Sequence, residues 1–207
     1  VKHVSTPIED LVKSAKSLAA QGVKEILLIA QDLTYYGLDI YKKRNLSELL
    51  NHLADVEGID WIRLQYAYPS GFPLDVLDVM RERSNVCKYL DIPLQHGSTA
   101  MLKAMRRGIT REKTEELIAE MRAKVPGIAI RTTLIAGYPG ETEEEYAEIK
   151  NFLEQAELDA IGIFGYSQED GTEAADFKDA LAQELVDERV KSLNSIAEEL
   201  MSQKAHS

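Results

Sequence analysis

Five short apolar runs in this chain each break into a polar tip, and each is followed by residues at helical spacing. The runs lie at residues 24–30 (K-E-I-L-L-I-A), 61–66, 88–94, 128–135 and 158–164. Strand and helix patterns that alternate without interruption predict a parallel sheet with right-handed crossovers. The almost continuous apolar run at 24–30 is expected of a strand buried on both faces. Polar groups gathered after the strands suggest an α/β barrel, where active groups sit on the post-strand loops. The first element is a helix, although a barrel helix should follow a strand. The expected fold is therefore α/β, a partial, open βα barrel with about five parallel strands and its first strand missing. An unpaired strand edge is then expected beside residues 24–30.

Local signals place the helices. Thr6-Pro7-Ile8-Glu9 has the form of a capping box with Thr6 as N-cap, and Ile8, Leu11, Val12, Ala15, Leu18 and Ala19 follow at helical spacing. Thr110 caps a helix over 111–124. Thr142-Glu143-Glu144-Glu145 is a second capping box, opening a helix to about residue 155. A last helix is expected over 183–201, with Val186, Val190, Leu193, Ala197 and Leu200 on one face. The 207 residues suffice for one domain with a sizeable core.

The net charge of −11, without a Lys/Arg cluster, argues against strong nucleic-acid binding through phosphates and against an anionic membrane surface. No apolar run approaches the roughly 18 residues of a spanning helix, so a cytoplasmic protein is expected. Cys87 is the only cysteine and cannot alone nest an iron–sulfur cluster. The four histidines show no zinc-ligand spacing, and no metal site is expected.

Each tip admits a bland and a functional reading. Gln95 and His96 could hydrogen-bond a ligand ribose or move a proton, or they could cap the helix that follows. Gln31, Asp32 and Ser70 carry the same ambiguity. Arg131 lies inside a strand and needs an anionic partner, either a ligand or an internal carboxylate. Gly137-Tyr138-Pro139-Gly140 could let a planar ligand approach the backbone, or could simply be a tight turn. The carboxylates from Glu141 to Glu145 are expected chiefly to complement a helix dipole. Tyr35, Tyr36, Tyr66, Tyr68, Tyr138 and Tyr166 all lie at tips, where packing is the ordinary role. No nucleophile–base set or Schiff-base lysine supports a hydrolase or aldolase barrel.

Taken together, the tips resemble one family. Gln31-Asp32-Leu33-Thr34-Tyr35-Tyr36-Gly37, Tyr66-Ala67-Tyr68-Pro69, Tyr89-Leu90-Asp91-Ile92-Pro93-Leu94-Gln95-His96, the segment from Arg131 to Thr142, and Glu169-Asp170-Gly171-Thr172-Glu173-Ala174 are similar to the radical S-adenosylmethionine methylthiotransferases. Asp91 to His96 and Ala67-Tyr68-Pro69 favour the ribosomal-protein branch over the tRNA-modifying, MiaB-like branch. The resemblance implies transfer of a methylthio group to the β-carbon of an aspartate in the twelfth small-subunit ribosomal protein. It implies S-adenosylmethionine as cofactor, two [4Fe–4S] clusters in the whole enzyme, and an external electron donor. The cluster cysteines are expected upstream of Val1, and the N-terminal methylthiotransferase and C-terminal TRAM domains outside the chain. A fragment inactive by itself is then expected, and no catalytic or metal-ligating residue is assigned within residues 1–207. A tRNA-modifying core and a non-catalytic module that docks the ribosomal protein are the alternatives.

Carried over position by position, the resemblance places Gln31 and Asp32 at the methionine end of the cofactor and Gln95 and His96 on its ribose side. Thr133 through Gly137 would face adenine, and Phe164 to Tyr166 its edge. Arg131 and Ser70 are further contacts on the same basis. Ser5-Thr6 departs from the serine–arginine pair usual in the family before the first helix.

Overall fold

The computed structural model describes residues 3–168 and 179–206. The motif at residues 169–174 lies outside them. The chain resolves into two compact units, one formed by Val1–Ile92 with Ala119–Ala129, the other by Pro93–Ile118 with Ile130–Ser207.

Unit 1 carries α1 (Ile8–Ala20), β1 (Glu25–Leu28), α2 (Leu46–Ala54), β2 (Trp61–Leu64), α3 (Asp75–Glu82) and β3 (Tyr89–Asp91). β1 and β2 pair in parallel, with Glu25 beside Trp61 and Leu27 beside Arg63. Leu46, Leu50, Leu53, Ile62, Leu64, Leu77 and Met80 form the core. Each side chain of this size contributes about 1.5–3 kcal/mol by leaving water. The other face of the pair stays open: Leu27 is 44% exposed, Ile29 63% and Trp61 56%. This corrects the expectation of a strand buried on both faces: no residue of β1 is fully buried, and β2 buries only alternate residues, Ile62 and Leu64.

α1 also departs from its expected start. Its N-cap is Pro7, with no side-chain cap bond. The Ile8 N–H instead donates to the Tyr41 hydroxyl at 2.8 Å, and the Thr6 carbonyl accepts from the Tyr36 hydroxyl. A tyrosine from another segment thus satisfies a helix-end donor that Thr6 was expected to serve. Ser5 joins the same clasp, its N–H donating to Asp39 and its hydroxyl accepting from the Gly37 N–H.

Unit 2 carries α4 (Thr99–Ala104), β4 (Ala129–Ala136) from Ile130 onward, α6 (Glu143–Ala156), β5 (Ala160–Gly165) and α7 (Gln183–Ala205), while α5 (Arg111–Lys124) is divided between the units at Ile118. β4 and β5 are parallel, with Thr133 beside Gly162 and Ile135 beside Phe164. Leu102, Ile130, Leu134, Ile149, Phe152, Leu153 and Leu193 are buried. The Thr142 box forms as expected, with Thr142 and Glu145 exchanging side-chain and backbone bonds. Thr110 Oγ1 accepts the Lys113 N–H at 3.3 Å, as an N-cap should.

Two strands end early for local reasons. β2 stops at Leu64, and Tyr66 takes a φ of 60° that no regular strand accommodates. β3 spans only Tyr89–Asp91; Pro93 offers no N–H, the Leu94 N–H turns to Thr132 Oγ1, and Gln95 has φ 76°. Strands within each unit run parallel in open sheets, as expected of an open βα architecture.

Candidate functional site

In unit 1 the loop after β1 is built on Asp32. Its carboxylate caps a short 3-10 turn over Leu33–Tyr35 and accepts the Thr34 N–H at 2.9 Å. It also accepts the Tyr68 N–H at 3.3 Å, which joins the first tip to the loop before Ser70. The Leu33 N–H donates to the Tyr66 carbonyl, closing the pair of tips. Asp32 and Ser70 are half-buried, whereas Gln31 is exposed. Arg44 ties down the far side of this loop by donating to both the hydroxyl and the carbonyl of buried Thr34. The structure therefore brings Asp32 and the loop holding Ser70 together, with the Gln31 side chain accessible beside them.

Unit 2 presents its tips differently. Gln95 is interlocked with β4: its N–H donates to the Thr133 carbonyl, and the Ile135 N–H donates to its carbonyl. Its left-handed backbone ends the ladder there and turns the chain toward His96. His96 is 1% exposed. Its Nδ1 accepts the Ser98 N–H at 2.9 Å, which leaves the proton on Nε2 to be donated to Glu141 at 3.0 Å. Both ring nitrogens are thus spent inside the protein. His96 was expected on the ribose side of a cofactor; here it is buried and bonded to Ser98 and Glu141.

Glu141 is the centre of this cluster. Both carboxylate oxygens lie 3.1 Å from the Gly137 nitrogen, and Arg189 donates to one of them at 2.5 Å and to the Glu141 carbonyl at 3.2 Å. Arg189 also pairs with Glu143. Burial pushes the Glu141 carboxyl up, but the bonds from His96, Arg189 and Gly137 outweigh it and hold the group below its ordinary range. Burial likewise disfavours the Arg189 cation, and its two carboxylate partners reverse the balance and raise it. Glu141 does not serve as a helix-dipole complement, since it precedes the N-cap and its side chain is fully buried.

Gly137 has φ 78°, and a Cβ added there would lie 2.6 Å from Val186 on α7. Only glycine fits this turn. Beyond it, Arg131, Thr133 and Ile135 alternate along one half-exposed face of β4, while Phe164 on β5 is 57% exposed beside Ile135. Gly162, next to Thr133, presents bare backbone between them: an added Cβ would touch the Phe164 ring at 3.4 Å and Thr133 Oγ1 at 3.8 Å. The Tyr166 N–H donates to the Ala136 carbonyl, and its ring meets Tyr138 edge-on at 5.4 Å. The result is a flat face lined by a hydroxyl, bare backbone and an aromatic ring, with an arginine at its lower end.

Sequence reasoning did not single out Arg189 and gave Glu141 the wrong part. The signal for Arg189 was a charge three residues after Val186, inside the apolar stripe of the last helix. The signal for Glu141 was its place before the N-cap, where a side chain no longer belongs to the helix.

Among the described residues no group of three or more His, Cys, Asp or Glu could hold a metal ion, and no helix is long and apolar enough to cross a membrane. Cys87 is half-buried, and burial pushes its thiol up.

The sequence pattern of the Radical SAM superfamily matches residues 1–153. A protein of Cytophaga hutchinsonii named ribosomal protein uS12 methylthiotransferase RimO is 66% identical over 197 residues, covering 95% of this chain and 45% of that protein. A protein of the same name from Christiangramia forsetii is 58% identical over 198 residues, covering 96% and 44%. The chain thus spans somewhat under half the length of these curated relatives. Among solved structures, the radical SAM enzyme coproporphyrinogen III oxidase (HemN) from Escherichia coli aligns with a TM-score of 0.66 at 17% identity, covering 93% of this chain and 46% of that one. Methylornithine synthase (PylB) aligns with a TM-score of 0.62 at 16% identity, covering 99% and 55%. At these identities the two structures speak for the fold alone.

Proposed function

The chain belongs to the Radical SAM superfamily, and on that footing we propose that it is the cofactor-binding core of a methylthiotransferase acting on ribosomal protein uS12. The observation that carries this reading is 66% identity, across 95% of the chain, to a protein bearing that activity in its name. The reaction replaces a C–H bond on the β-carbon of an aspartate by a C–S bond to a methylthio group.

The face of β4 and β5 suits the adenosyl part of S-adenosylmethionine. Gly162 leaves room for a planar base beside Thr133, and Phe164 offers a ring for it to stack on. In unit 2, Thr133, Gly137, Phe164 and Tyr166 would hold the base and Gln95 would meet the ribose; in unit 1, Gln31, Asp32 and Ser70 are proposed as cofactor contacts on their own motifs. Arg131 would supply positive charge on the same face as Thr133. His96 would act behind Gln95 as support. S-adenosylmethionine, when bound and reduced, supplies the radical that removes hydrogen from an unactivated carbon.

A [4Fe–4S] cluster does not fit the residues of this chain. The sequence holds one cysteine, and burial keeps its thiol protonated. In this reading the cluster ligands, the electron donor's contact and the second cluster belong to parts of the enzyme outside this sequence. The net charge of −11 is compatible with a protein substrate and unfavourable to tRNA.

The test uses the full-length enzyme, reconstituted anaerobically with iron and sulfide and supplied with S-adenosylmethionine, a sulfur source, a reductant and uS12. Mass spectrometry should find one methylthio group on an aspartate of uS12. Modification of a tRNA adenosine instead, with uS12 unchanged, would overturn the assignment of substrate.

A further inference from the structure

A buried cation on α7 stands behind the strand tips of unit 2, and the ligand face does not need it for its own contacts. Arg189 is 3% exposed, although it sits in the apolar stripe of α7, where a leucine would pack without a desolvation cost. Its guanidinium is committed to Glu141 and Glu143, while its Nε has no partner among the described residues. The group is therefore placed for what it holds. Through Glu141 it reaches the Gly137 N–H at the tip of β4, and through His96 it reaches the turn that follows Gln95. Val186, one turn earlier on α7, fills the space beside Gly137 where a Cβ would otherwise stand. α7 begins at Gln183, beyond residue 153, where the superfamily match ends.

We propose that Arg189 is a positioning residue that sets the shape of the Gly137 turn and the Gln95 tip, and through them the affinity of unit 2 for the adenosyl group. The inference rests on the cofactor reading given above. Replacing a buried ion pair by apolar residues is often neutral or stabilising, so stability alone is a weak reason for this cluster. Its geometry supplies a better one. The planar fork of arginine fixes two directions at once, with Nη1 on the carboxylate and carbonyl of Glu141 and Nη2 on Glu143, which a lysine cannot do.

The test measures binding of S-adenosylhomocysteine to the full-length, reconstituted enzyme by titration calorimetry, beside the melting temperature of each variant. R189K keeps the charge and loses the fork. The double variant R189M/E141Q removes both charges and leaves no buried ion unpaired. Each should melt near the wild type and bind the nucleoside about tenfold more weakly, equivalent to ~1.4 kcal/mol. A purely structural role would lower the melting temperature and leave affinity within about twofold, and that result overturns the proposal. So does failure of both variants to fold. If the wild-type enzyme itself does not bind S-adenosylhomocysteine, the cofactor reading falls first and the proposal with it.

Discussion

Asp32 in unit 1 and Glu141 in unit 2 are both carboxylates in loops that follow strands, yet they occupy opposite electrostatic situations. Asp32 is half-buried and accepts two backbone N–H groups. Glu141 is sealed from solvent with an arginine and an imidazole against it. The difference separates two ways of shaping a loop that follows a strand. A half-exposed acceptor shapes the loop while leaving side chains such as Gln31 accessible. A buried ionic cluster braces the loop from behind and leaves the front to backbone and neutral groups such as Thr133 and Phe164.

Removing the buried carboxylate should cost most. Glu141→Ala strands Arg189 as an uncompensated buried cation and frees the Gly137 N–H, so a loss of about 3–5 kcal/mol is expected in denaturant unfolding. A cost below about 1 kcal/mol would place Glu141 with surface ion pairs and erase the contrast. Gly137→Ala should follow. A left-handed φ costs an L-residue about 1–2 kcal/mol and the overlap with Val186 about 1–3 kcal/mol more. Val186→Ala in the same chain should recover the overlap part and not the backbone part, a separation that a double-mutant cycle reads directly.

On the unit 1 side the effects shrink. Asp32→Ala should cost about 1–2 kcal/mol, the value of a cap and one further backbone bond. A loss as large as that of Glu141→Ala would mean that the half-exposed tip is no weaker a brace than the buried one.

The smallest effect is one of pH. The hydroxyl and N–H of Ser5 hold the Asp39 carboxyl down from 3.8 to about 2. A depressed carboxylate contributes stability above its unfolded value and loses it as pH falls through its folded value. The clasp on Ser5 should therefore weaken between roughly pH 4 and pH 2. Asp39→Asn should flatten that part of the stability profile, and an unchanged profile would remove Asp39 from the clasp.

Much of this fold was legible because its signals are local. The Thr142 box, the Thr110 cap and the apolar stripe of α7 each lie within a few residues, and the comparison of strand runs with helical spacing gave the parallel α/β order. What sequence reasoning missed depends on distant partners. Ile8 takes its cap from Tyr41, 33 residues away, so the Thr6 pattern went unused. His96 and Glu141 are 45 apart, and Arg189 is 48 beyond Glu141, so no local motif could reveal that they share one cluster. The open face of β1 was hidden for a related reason, since an apolar run does not say whether both its faces are covered.

The central claim is that the face of β4 and β5 in unit 2 receives the adenosyl part of S-adenosylmethionine. Hydrogen–deuterium exchange on the full-length, reconstituted enzyme, with and without the cofactor, tests it most directly. Binding should slow exchange in peptides covering residues 31–36, 95–98, 133–138 and 162–166, and leave the helical surface of α5 unchanged. Saturating cofactor that protects none of these tips, or protects only segments outside this chain, would contradict the account.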